Sequence, residues 1–207
     1  MKVRTQARRD AILEVARQVF LACGYERASM SEIARQVGGS KATLYGYFPS
    51  KEALFYAATH AEGRTLMAET IADLEQHGTE DLHAALLRVG AAIVDFLCRE
   101  TTTAAHRMVL AESGRSDIGQ VFYEEGPGEG LRMLSKSLHA AMLRGELRLS
   151  DPLIAAQHLH GLLASEVQVR WFYRQAPPLP AGEARAIAER AVHVFLHGYT
   201  GVRGRAG

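Results

Sequence analysis

Residues 29–51 read SMSEIARQVGGSKATLYGYFPSK, and the punctuation of this stretch decides the fold. Ser29 is followed three positions later by Glu32, the spacing of a capping box, and Met30, Ile33, Ala34 and Val37 then recur with helical period. Gly38 and Gly39 stop that helix early. Ser40 caps a second short helix with Leu44 and Phe48 at i and i+4, and Pro49 blocks its continuation because it brings no amide hydrogen. Ser50 then caps a third helix that begins at Lys51. Two short helices joined by a glycine turn form a helix-turn-helix unit. Isolated helices below about 12 residues are marginal in water, so the pair needs a third wall. The preceding helix supplies it with a stripe of Ile12, Val15, Ala16, Val19 and Phe20 that ends at Gly24. The expected shared core is Phe20, Ile33, Ala34, Leu44 and Phe48. Lys41, Ala42, Thr43, Tyr45, Gly46 and Tyr47 are then left on the outer face, donors and short side chains that suit a major groove about 12 Å wide.

Outward from this stretch, nearly every segment keeps helical spacing and none alternates as a strand would, so the fold class is all-α, with nine or ten helices. The expected division is residues 1–50 as a helix-turn-helix domain and residues 51–207 as a helical body. The body's helices are read from Thr79, from Pro127 behind the tract EGPGEG, and from Asp151-Pro152, which pairs an N-cap with a first-turn proline and opens a helix over 152–174. The last helix covers 183–199. Residues 1–51 hold nine Lys/Arg against four acids, a local charge of +5, while the 207-residue chain carries only +1. A basic first quarter on an acidic remainder matches a DNA-reading head on a separate body, since phosphate neutralisation supplies most non-specific affinity. The apolar runs fall short of the roughly 18 to 20 residues that span a bilayer, and MKVRTQARRD lacks the apolar core of a signal peptide, so a cytoplasmic location without membrane contact is expected. Cys23 and Cys98, the only cysteines, fit buried small hydrophobes and build no disulfide framework.

Residues 10–57 resemble the N-terminal domain of the TetR (tetracycline repressor) family. The likeness rests on the first-helix stripe running into Gly24-Tyr25, on Ile33-Ala34 in the second helix, and on Ser40-Lys41-x-Thr43-Leu44-Tyr45-x-Tyr47-Phe48-x-Ser50-Lys51-Glu52-x-Leu54. It implies a transcriptional regulator, with double-stranded operator DNA as partner and neither catalytic residues nor a cofactor. It further implies that Lys41, Ala42, Thr43, Tyr45 and Gly46 face base edges or their nearest phosphates, and that Tyr47 and Lys51 hold the backbone. Ser29, Ser31 and Arg4 assist at the margins. Gly39 stands where the family usually has an apolar residue, and Gly46 where it has a polar one, which costs about 1 kcal/mol of helix stability relative to Ala. A recognition helix softer than its relatives' is expected.

By the same likeness the body dimerises and binds an effector. Ala156, Leu159, Leu163, Val167, Val192, Phe195 and Tyr199 are the expected homodimer seam, a four-helix bundle across a two-fold axis. A small hydrophobic or amphipathic effector is expected among residues 61–122, with Met67, Phe96, His106, Met108, Phe122, Tyr123 and Trp171 as lining. The alternative is a DNA-binding regulator controlled by a protein partner. Enzyme motifs fail. Glu80-x-x-His83 has no second copy to make a di-iron bundle, and His193 and His197 lack the intervening glutamate of a zinc protease and read as core or interface histidines. The tract GPGEG lacks the Gly-Lys-Ser/Thr of a phosphate loop, and no metal site is expected.

Overall fold

The structure, a computed structural model, describes residues 5–77, 81–173 and 175–200. Among them the regular elements are ten α-helices and no strand, the all-α fold expected. They are α1 Gln6–Arg27, α2 Met30–Val37, α3 Lys41–Tyr47, α4 Lys51–His77, α5 Leu82–Cys98, α6 Glu100–Glu112, α7 Ile118–Glu125, α8 Pro127–Leu143, α9 Pro152–Ser165 and α10 Glu183–Tyr199, with a 3-10 turn Gln168–Phe172 after α9. Thr79, Glu80 and Arg4 lie outside the described residues.

The chain forms two compact units, Met1–Gly63 with Ala104–Gly126, and Arg64–Thr103 with Pro127–Gly207. In the first, Ile12, Ala16 and Phe20 of α1 pack with Ile33 and Ala34 of α2, Leu44 of α3 and Phe48, and the start of α4 adds Leu54 and Phe55. Ala105, Val109, Ile118 and Phe122 complete this core. In the second, α10 packs on α5 and α9, and α9 on α8. A side chain at Gly90 of α5 would meet Leu163 Cδ2 at 3.0 Å and Ala188 Cβ at 3.1 Å, so α5 and α10 approach closely there.

Several boundaries differ from the expected ones. The helical geometry of α1 breaks at Gly24 (φ 81°), then resumes for one turn that carries Tyr25. α5 takes Asp81 as N-cap, whose carboxylate accepts from the Ala84 amide. α9 stops at Ser165 instead of running to 174, and the chain continues in a tighter 3-10 turn that eclipses i and i+3, so Val167 and Arg170 are both buried. The Arg170 guanidinium then donates to the Pro177 carbonyl and ties down the linker.

The turn between α2 and α3 is pinned rather than loose. Gly38 is left-handed (φ 73°), its amide donates to the Arg35 carbonyl, and the Gly39 amide donates to the Ala34 carbonyl, a Schellman closure. Arg8 of α1 donates to the Gly38 carbonyl at 3.0 Å, and its guanidinium tip lies 3.0 Å from where a Gly39 side chain would begin. The space an apolar residue would fill is covered by an arginine. Gly38→Ala should therefore cost about 1–2 kcal/mol, the penalty of an L-residue in left-handed backbone. Gly39→Ala should stay within about 0.5 kcal/mol of the parent, since the stiffer unfolded chain offsets the displaced Arg8 contact. Urea denaturation of both variants measures the difference.

Candidate nucleic-acid interface

α2 and α3 are short amphipathic helices, each held by a serine cap. Ser29 Oγ accepts from the Glu32 amide at 3.1 Å, and Ser40 Oγ accepts from the Thr43 amide at 3.0 Å. Only half of the expected capping box forms. The Glu32 carboxylate turns forward to accept from Arg35 and Gln36 instead of back to Ser29, and those bonds hold its pKa down to about 2. Arg35 is thereby an ion-paired surface residue. In α3, Leu44 is buried, while Lys41, Ala42, Thr43 and Tyr45 are exposed on the opposite face. Lys41 Nζ lies 5.8 Å from the Tyr45 ring centroid, so the two present one cationic and aromatic surface. The Thr43 hydroxyl shares a 2.8 Å bond with Ser40 Oγ, which ties it to the cap as well as to the outer face.

Tyr47 and Lys51 flank that face. Tyr47 Oη accepts from the Thr5 amide at 3.2 Å, just ahead of α1, which orients the phenol and leaves its own hydrogen to donate. Lys51, in the first turn of α4, holds Nζ 4.3 Å from the Tyr25 ring centroid. Tyr25 also donates through Oη to Glu52 Oε1 at 2.6 Å. Burial, then the Glu52 bond, pushes the Tyr25 phenol well above its usual range, and the Tyr25 hydroxyl holds the Glu52 carboxyl below its usual one. Ser31 is exposed beside the Ser29 cap. Sequence reading missed Tyr25, Thr5 and Arg8 as supports of this surface. Only the Gly24-Tyr25 pair stood out beforehand, as the place where the first helix ends.

The expected effector residues do not form one cluster within either unit. His106 and Phe122 meet edge to face at 5.2 Å in the first unit, which also holds Met108 and an exposed Tyr123, whereas Met67, Phe96 and Trp171 belong to the second. The expected dimer residues turn inward: Ala156, Leu159, Leu163, Val167, Val192, Phe195 and Tyr199 are all buried in the core of their own unit. Apart from Val167, at the start of the 3-10 turn, they are core stripes of α9 and α10, so a partner would meet the opposite faces. His193 and His197 are exposed there, with ring centroids 4.2 Å apart. Cys23 and Cys98 are half-buried free thiols. Among the described residues no cluster of three or more ligating side chains could hold a metal, and no helix is long and apolar enough to cross a membrane.

The Tyr25–Glu52 bond makes a pH-dependent prediction. Because the folded Glu52 carboxyl titrates below its ordinary value of 4.5, its contribution is present above that pH and lost as pH falls further. Tyr25→Phe should cost about 1 kcal/mol at neutral pH, discounted for the partial exposure of Glu52, and progressively less below pH 4.5. Denaturation of parent and variant at neutral and acidic pH measures the difference.

Two family models match the chain. "Bacterial regulatory proteins, tetR family" covers residues 12–58, and "AefR-like transcriptional repressor, C-terminal domain" covers residues 84–201. An uncharacterized HTH-type transcriptional regulator of Mycobacterium tuberculosis is 44% identical over 66 residues, 32% of this chain and 33% of that protein. The A-factor receptor protein of Streptomyces griseus is 38% identical over 151 residues, 71% of this chain and 49% of the receptor. The chain thus spans a third to a half of the length of these relatives. Among solved structures, a TetR-family regulator from Mesorhizobium loti superposes with a TM-score of 0.82 at 24% identity, covering 97% of this chain and 100% of that one. The flavonoid-responsive regulator FrrA superposes with a TM-score of 0.71 at 28% identity, covering 96% and 100%. With the first model on the helix-turn-helix unit and the second over more than half of the chain, this protein belongs to the TetR family of bacterial transcriptional regulators.

Proposed function

We propose that the chain is a homodimeric repressor that binds a near-palindromic operator and is released by a small hydrophobic or amphipathic effector. Residues 1–50, with Lys51 at the start of α4, read DNA, and the remainder of residues 51–207 carries dimerisation and effector binding. The observation that carries this reading is the division of α3. Leu44 anchors one side in the core, while Lys41, Ala42, Thr43, Tyr45 and Gly46 are offered to base edges. Tyr47 and Lys51 grip phosphates beside them, with Ser29 and Ser31 at the margin. Release requires that the effector favour a spacing of the two heads that no longer fits the groove. The names of the flavonoid-responsive regulator and the A-factor receptor are in keeping with an effector. Control by a protein partner has one observation in its favour, the exposed Val169, Phe172 and Tyr173 around the 3-10 turn.

The dimer seam is reassigned to the open faces of α9 and α10, where Ile154 and Val194 expose apolar surface. Side chains built at Gly161 and Gly198 would meet nothing within 4 Å, so a second backbone has room to approach. Val194→Glu should give monomers in sedimentation without loss of helix. A variant that stays dimeric would move the seam elsewhere.

For DNA, Tyr47→Phe combined with Lys51→Ala should weaken binding to every duplex and reduce the salt slope by about 1. Lys41→Ala should change sequence preference instead. The opposite pattern would exchange the base and phosphate roles.

A further inference from the structure

A groove of about 440 Å³ opens on the first unit between the end of α1 and α6, within the range of roughly 300–1,000 Å³ typical of small-molecule sites. Its apolar wall is made by Phe20 and Leu21 of α1 with Met108 and Ala111 of α6, and Leu21 is 42% exposed, a large apolar side chain left facing water. Its charged lining is Arg27 and Arg107 against a single carboxylate, Glu112. Glu112 Oε1 has the guanidinium of Arg115 4.0 Å away, and among the residues that line the groove arginines outnumber carboxylates two to one. Arg27 Nε donates to the Cys23 carbonyl at 2.9 Å, which folds its guanidinium back over the end of α1.

We propose that this groove binds a small molecule with an apolar body and one anionic group, and that its occupancy is felt at Lys51. Tyr25 makes the link. It lines the groove, and the same ring carries Lys51 Nζ on its face while its hydroxyl holds Glu52. A ligand that shifts Tyr25 changes where the Lys51 ammonium stands at the start of α4. The binding claim stands on the groove alone, whereas its consequence for DNA rests on the function proposed above. A chemical input would then lie in the first compact unit, which also carries α3.

Anilinonaphthalene sulfonate, an apolar ring system with one sulfonate that brightens on leaving water, serves as the probe. Titrated into the full chain, it should bind at one site per chain. Ala111→Trp, which fills the groove from an exposed position, should weaken binding about tenfold or more. Arg107→Gln should weaken it less, and chiefly at low salt. Circular dichroism checks that both variants fold. In parallel, dye should lower the affinity of the parent for duplex DNA and have no such effect on Lys51→Ala. Dye affinity unchanged in both groove variants overturns the site. Dye that binds the groove yet leaves DNA affinity unaltered overturns the link to Lys51. Failure of the parent to bind any duplex would sink the proposed function instead, with the dye titration still deciding the groove.

Discussion

Helices of eight and seven residues cannot hold themselves in water, so everything α3 presents to the outside depends on the apolar cluster behind it. At its centre Phe20, Tyr25 and Phe55 meet in pairs, Phe55 lying edge-on to Phe20 at 5.1 Å and to Tyr25 at 5.4 Å. Such contacts contribute about 0.5–1.5 kcal/mol each beyond the area they bury. Phe55 comes from α4, downstream of the reading stretch, so the start of α4 completes the unit that positions α3. Truncating any of the three rings would loosen α3 without touching a residue on its outer face.

Tyr25 stands where this core becomes a surface. Its ring packs inward and carries Lys51 Nζ on its face, its hydroxyl fixes Glu52, and it lines the groove along α6. The other supports follow the same economy: Arg8 covers the space left by Gly39 and satisfies the Gly38 carbonyl, and the Thr5 amide fixes the phenol of Tyr47. The reading surface is held from beneath by α1 as much as by the two helices that define its motif.

The parts of this arrangement that were legible in the sequence are the local ones. Ser29, Gly38, Ser40 and Pro49 act on their immediate neighbours, and each marks a boundary the structure keeps. The all-helical class followed from periodicity. That same periodicity failed for Ala156, Leu159, Leu163, Val192 and Phe195, because a stripe at helical spacing reports that a face is buried without saying whether its own subunit or a partner buries it. Glu32 had the spacing of a capping box, but Arg35 and Gln36 competed for its carboxylate and won. The roles of Arg8 and Thr5 depend on contacts distant in sequence, which no local pattern encodes.

In the proposed complex two copies of α3 enter the major groove at two half-sites related by a common two-fold axis. Selecting bound duplexes from a random pool with the full chain tests it most directly. Enriched sites should carry inverted half-sites whose centres lie about 34–36 Å apart or a multiple of that spacing. Enriched sites without two-fold symmetry, or no enrichment over the starting pool, would contradict it.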